Sequence, residues 1–252
     1  MVLRIHLCGR ITVVDDLVAV DERELPGRQG RLALARLCME HGRPVSSDQL
    51  IDCLWGEQPP HDAVGALASI VSKLRVVLRR VGGHEHPTIV GGGGTYELRV
   101  PSNTMVDLQD ARNAIDRAEG DRRRDDARRA WANATVAASI ARRGFLPSEQ
   151  AVWVRTVGAE LERVALRAYD CLTWVWTTRD DGVLATAMAQ QAVDLAPLHE
   201  PAWRTLMSVQ AEFGSRADAL RTYRRCRDTL SNELGVPPDP ATVELYERLV
   251  SR

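Results

Sequence analysis

The chain has 252 residues, 44% of them apolar, with 33 basic against 34 acidic side chains. That length suits two domains of ordinary size, and no stretch approaches the ~20 apolar residues a membrane-spanning helix needs. Balanced charge excludes a globally basic nucleic-acid binder, so any nucleic-acid surface must be local.

The first third mixes strands and helices. Leu3–Leu7, Ile11–Val14 and Leu17–Val20 read as short strands around a turn at Asp15-Asp16. Arg28–His41 reads as a helix with Leu32, Leu34, Ala35, Leu37 and Cys38 on its apolar side, ended by Gly42 and Pro44. Ser46 followed by Gln49 is a capping box that opens a second helix to Trp55. The loop Gly56–Asp62 holds Pro59-Pro60, and a third helix is expected over Ala63–Val81. Its apolar stripe is Leu67, Ile70, Val71, Leu74, Val77 and Leu78. Thr88–Val90, Gly91–Gly94 and Thr95–Val100 read as a hairpin with a glycine tip, not a nucleotide loop, because a strand rather than a helix follows. Pro101-Ser102-Asn103 is the expected linker.

From Val106 onward the periodicity is helical, with helices expected near 107–119, 124–141, 151–178, 182–195, 200–213, 216–234 and 240–250. A shift of about 34 residues, the tetratricopeptide period, aligns Tyr169 with Trp203, Leu172 with Leu206, Ala185 with Ala219, Ala189 with Tyr223 and Ala192 with Cys226. The fold class is therefore mainly α: a winged helix-turn-helix domain (α+β) over 1–101, then an all-α tetratricopeptide-like repeat domain over 105–252.

The third helix carries the candidate chemistry. No acid lies between Ala63 and Val81, and the side opposite the stripe presents Gly65, Ser69, Ser72, Lys73, Val76, Arg79 and Arg80, with Arg75 at its edge. Small hydroxyls permit close approach to a groove floor, and the cations can bond phosphates or guanine. Lys73 is the only lysine in the chain. A solvated basic face is the plain alternative; the capped helix before and the hairpin after favour DNA. Thr95 and Tyr96, on the return strand of the hairpin, complete the DNA-binding set. The mixed cluster Arg122–Arg124, Arg128 and Arg129 has Asp121, Asp125 and Asp126 between its arginines and reads as a self-paired surface.

No catalytic motif occurs, so no enzyme and no cofactor are expected. Five cysteines, at 8, 38, 53, 171 and 226, form no C-x-x-C, and the six histidines show no metal spacing, His84 and His86 lying in an exposed loop. Reduced thiols in a cytoplasmic protein without a metal site follow. Met1–Arg10 lacks the apolar run of a secretory signal.

The segments Arg43–Leu78, Gly93–Leu98 ("GGTYEL") and Arg216–Pro240 ("RADALRTYRRCRDTLSNELGVPPDP") resemble the Streptomyces antibiotic regulatory protein family. Its members join an OmpR-type winged helix to a bacterial transcriptional activation domain of tetratricopeptide-like helices. The resemblance implies an activator of a secondary-metabolite gene cluster that binds direct repeats in double-stranded promoter DNA and recruits RNA polymerase holoenzyme. It implies the small type, since no phosphate loop for an ATPase module is present. It makes Glu57, Pro59 and His61 the candidates for polymerase contact, with Trp55 read as core. A homodimer through or beside the helical domain is expected. One departure stands out: family members usually carry polar or basic side chains where this chain has Gly65, Ala68, Ile70 and Val76. That motivates an alternative, a regulatory adaptor whose helical domain binds a protein or small-molecule effector while specific DNA binding has weakened.

Overall fold

A computed structural model describes residues 2–83 and 86–251, so that the expectation for His84 lies outside the described residues. Along the chain come β1 (Arg4–His6), β2 (Thr12–Val14), β3 (Ala19–Asp21), α1 (Gly27–Met39), β4 (Val45–Ser46), α2 (Ser47–Trp55), α3 (Ala63–Leu78), β5 (Thr88–Gly92), β6 (Thr95–Arg99) and β7 (Met105–Val106). Helices α4 (Asp107–Arg123), α5 (Ala127–Ala141), α6 (Val152–Thr178), α7 (Gly182–Leu195), α8 (Glu200–Phe213), α9 (Arg216–Leu234) and α10 (Pro240–Val250) follow. The chain is a winged helix-turn-helix followed by tetratricopeptide-like helices. It divides into two compact units: Met1–Asp110 with Arg143–Leu161, and Ala111–Arg142 with Glu162–Arg252. The segment between the two expected domains lies within the first of these units, which also takes in 143–161.

In the first unit one sheet has the order β3-β2-β1-β7, antiparallel except for β7, which runs parallel to β1. The expected linker thus leads straight into a strand, with Arg4 opposite Met105. The third strand begins at Ala19 rather than Leu17, because the Asp15 carboxylate accepts from the backbone N–H groups of Leu17 (2.7 Å) and Val18 (2.6 Å) and folds them into a turn. The same buried carboxylate accepts from Gly82 N–H at 2.6 Å, and three backbone donors hold its pKa below the usual carboxylate range. Gly82 and Gly83 have φ of 90° and 55°, so the chain turns there, and α3 stops at Leu78 instead of Val81.

The segment 143–161 is fastened to this unit by polar ties. Buried Asp107 accepts from the N–H groups of Leu7 (2.8 Å) and Cys8 (3.2 Å) and pairs with Arg143 at 3.4 Å. Buried Glu149 takes Arg28 at 2.8 Å and Arg31 at 2.9 Å. Trp153 donates its indole N–H to the Cys53 carbonyl at 3.0 Å and meets Phe145 edge-on.

In the second unit α7 and α9 begin at Gly182 and Arg216, one 34-residue period apart. The aligned pairs Leu172/Leu206, Ala185/Ala219 and Ala192/Cys226 are all buried. Ala219 packs with Met207 and Leu249, and Tyr223 stacks on Tyr246 at 4.0 Å. Trp203 is anchored where the preceding repeat ends, its indole N–H donating to the Pro197 carbonyl at 2.8 Å. The basic cluster is self-paired in part, Arg124 with Asp121 and Arg129 with Asp126, while Arg122 pairs outside it with Asp170. Helix α5, expected from 124, starts at Ala127, where Asp126 caps it. All five cysteines are free thiols, four of them buried and Cys53 half-buried, and burial pushes the Cys226 thiol up to about 12. Among the described residues no helix is long and apolar enough to cross a membrane.

Candidate nucleic-acid interface

Local sequence fixes where α2 and α3 begin. Ser46 Oγ accepts from the Gln49 N–H while Gln49 Oε1 accepts from the Ser46 N–H, each at 3.1 Å, which closes the expected capping box on α2. Asp62 Oδ1 accepts from the Gly65 N–H at 2.8 Å and starts α3. A Cβ at residue 65 would lie 2.1 Å from Asp62 Oδ2, so this glycine makes room for the cap. Leu67, Val71, Leu74 and Leu78 are buried against α1 and α2. Ile70 and Val77, placed in the same stripe from sequence, are only half-buried at its edges. Burying one side of a 3.6-residue helix exposes the other, and that side is Val64, Gly65, Ala68, Ser69, Ser72, Lys73 and Val76.

The predicted site residues separate into two groups. Ser69, Ser72 and Lys73 lie on the exposed face of α3. Arg79 is exposed as the residue capping the C-terminus, beyond the last helical turn. The other two cations are engaged inside the unit. Arg75 is half-buried and donates from Nε to the Ile89 carbonyl at 2.7 Å, tying α3 to the wing. Arg80 pairs with Glu24 and holds that carboxyl below its ordinary pKa. Among the described residues, the positive charge of this surface with no ion pair or hydrogen bond inside the unit is thus narrower than the sequence suggests, resting on Lys73 and Arg79.

The wing is the sheet β4-β6-β5, with β6 in the centre. Gly91 and Gly92 belong to β5, and the turn is Gly93-Gly94 alone, both at positive φ (58° and 76°), a two-residue hairpin connection only glycine enters without strain. Tyr96 stands opposite Gly91 in the ladder, where a Cβ would meet its ring at 3.0 Å and the Arg75 guanidinium at 3.1 Å. Tyr96 is half-buried and fills the space that glycine leaves. Thr95 Oγ1 donates to the Gly92 carbonyl at 2.9 Å, which keeps its hydroxyl within the turn. The turn itself is held by Ser47, whose N–H and hydroxyl both reach the Gly94 carbonyl, at 2.8 and 3.0 Å. β4, which pairs with β6 just before Ser47, was not foreseen, since two residues carry no periodic signal.

Between α2 and α3 every residue of 56–62 is exposed, including Glu57, Pro59 and His61, while Trp55 is half-buried. Sequence reasoning missed Val64, 62% exposed at the start of the α3 face. Its spacing of four from Ala68 was the available signal.

The family model for the bacterial transcriptional activator domain matches residues 106–250. Regulatory protein AfsR of Streptomyces coelicolor is 30% identical over 229 residues, which cover 88% of this chain and 22% of AfsR. Transcriptional regulator RedD of the same organism is 31% identical over 221 residues, covering 82% of this chain and 60% of RedD. The solved structure of Mycobacterium tuberculosis EmbR in complex with a low-affinity phosphopeptide superposes with a TM-score of 0.82 at 25% identity, covering 99% of this chain and 65% of that one. The chain therefore spans about a fifth of AfsR and under two thirds of RedD.

Proposed function

The chain belongs to the bacterial transcriptional activator domain family, as a transcriptional regulator of the Streptomyces antibiotic regulatory protein type, and from that premise we propose that it activates a secondary-metabolite gene cluster from promoter DNA. The observation that carries the reading is α3: a helix with one buried stripe and an opposite face that is exposed, free of acids and beside a hairpin wing. Such a helix fits the major groove. Ser69 and Ser72 approach base edges, Lys73 and Arg79 contact phosphates or guanine, and Thr95 and Tyr96 shape the wing. Two copies on directly repeated sites supply affinity that one thinly polar face lacks, since the second contact is intramolecular. Association through or beside the helical unit would pair them. The exposed loop with Glu57, Pro59 and His61 is the surface we assign to RNA polymerase holoenzyme, and free thiols suit a cytoplasmic setting.

A gel-shift on the promoters flanking its own gene, at two salt concentrations, tests this. Lys73→Ala should weaken binding and flatten the salt slope by about one phosphate contact. Arg80→Ala should do less, because Glu24 already neutralises that charge. Parent protein that shifts no fragment at low salt overturns the reading. Glu57→Ala with His61→Ala should leave the shift intact and cut transcription in a purified system. A second reading, an adaptor whose helical unit receives an effector, draws on a cavity of about 310 Å³ lined by Arg167, Asp170 and His199. It takes precedence if the parent binds no DNA.

A further inference from the structure

We infer that α3 selects its DNA through the 5-methyl groups of thymine, the target half-site placing thymines against Val64, Ala68 and Val76. This rests on the DNA-reading role above and adds what that reading leaves open, which base feature is read. Of the seven residues on the exposed face, Val64, Gly65, Ala68 and Val76 have no side-chain donor or acceptor. Val64 and Val76 are each 62% exposed, so neither serves the core. Val64, Ala68, Ser72 and Val76 follow one another at intervals of four and form a row along the helix. Twelve residues of rise make that row about 18 Å long, enough to pass several base-pair steps.

For the apolar row itself, the chemistry of the groove leaves one match. Bidentate reading of guanine takes an arginine or a lysine, and of adenine an asparagine or glutamine. Of these the exposed face holds Lys73 alone, which stands beside the row. Arg75, the arginine nearest to it, is committed to the Ile89 carbonyl. Setting a valine against a base donor or acceptor would strip that group of water without replacing the bond, which is unfavourable. The apolar group that a base pair presents in the major groove is the thymine methyl. Ser72 within the row, and Ser69 and Lys73 alongside it, supply the polar contacts that fix its register.

Deoxyuridine tests this, because it pairs like thymine and lacks only the methyl. The full chain is used to select a binding sequence from a random duplex pool. Single thymines of that sequence are then replaced by deoxyuridine, with a thymine outside the protected site as control. Each methyl that the row contacts should cost about four-fold in affinity when removed. Val76→Ala, a change at an exposed position, should abolish the penalty at one thymine and leave the others. A selected sequence without thymine, or one bound equally well after every replacement, overturns the inference while the DNA-reading role stands. Failure to retain any duplex at low salt overturns that role and the inference with it.

Discussion

In the N-terminal unit, buried carboxylates join segments far apart in sequence: Asp15 reaches Gly82, Asp107 reaches Leu7 and Cys8, and Glu149 reaches Arg28 and Arg31. In the helical unit carboxylates that join distant segments, such as Asp116 and Glu119 with Arg167 and Asp170 with Arg122, do so near the surface, and others work locally. Asp126, Asp181 and Asp239 each cap a helix by accepting from an N–H at most three residues on. Even buried Asp121 accepts from Asn133, only twelve residues away. What closes the helical unit instead is small-residue packing, with Ala185, Ala189 and Ala219 fully buried where helices meet. The two units should accordingly fail in opposite ways. The first is broken by removing a side chain, which orphans buried donors. The second is broken by adding one, since close-packed interfaces have no spare volume.

The largest effect is expected from Ala219→Trp. Ala219 is fully buried among Met207, Leu249 and the Tyr223/Tyr246 stack. Overpacking there should destabilise by about 3 kcal/mol or more, seen as a lower urea midpoint and faster hydrogen exchange over α8–α10. An unchanged midpoint would place Ala219 outside the packed interface and break the comparison on its second side. Asp107→Ala comes next. It leaves two buried N–H groups without an acceptor and should cost about 2–3 kcal/mol, with exchange accelerating in β1 and β7. Asp107→Asn, which keeps one carbonyl acceptor, should cost less. If the alanine and asparagine variants match the parent, the long-range ties are not what holds this unit.

Acid should discriminate between the units next. Asp15 has a folded-state pKa lowered by its bonds from Gly82, Leu17 and Val18. A depressed carboxylate contributes stability that is complete above its unfolded pKa of about 4 and is lost as pH falls through the folded value. The region around Asp15 and Gly82 should therefore lose exchange protection below about pH 4. Asp15→Asn should lose part of that protection already at neutral pH and show a flatter acid profile. A variant with the parent's acid profile would remove Asp15 from the account.

The same contrast explains what could be read beforehand. Helices of the second unit were legible because their information is local: a 3.6-residue period, side-chain caps at the starts of α5, α7, α9 and α10, and a 34-residue offset between Gly182 and Arg216. The exposed face of α3 was legible for the same reason, as the complement of a buried stripe. The fates of Arg75 and Arg80 were not, since they depend on Ile89 and on Glu24, 56 residues from Arg80. Strands β4 and β7 are two residues each and exist only through their partners β6 and β1. The segment 143–161 gave no sign of joining the first unit, because Glu149 looks like any surface acid until Arg28 and Arg31 are placed around it.

The smallest effect is expected where a carboxylate caps an exposed helix start in the first unit. Asp62 accepts from the Gly65 N–H at 2.8 Å, much as Asp107 accepts from Leu7, but both Asp62 and Gly65 are exposed. In Gly65→Ala the new Cβ would collide with the Asp62 carboxylate and displace it. Losing an N-cap costs about 1 kcal/mol, while alanine in place of glycine in a helix returns about 0.5–1 kcal/mol. Water also replaces the carboxylate at the freed N–H, a substitution closed to the buried donors around Asp107. The two contributions should nearly cancel, leaving the urea midpoint of Gly65→Ala within about 1 kcal/mol of the parent. A loss as large as that of Asp107→Ala would mean that distance from water is not what separates the buried ties from the surface caps, and the comparison would need another basis.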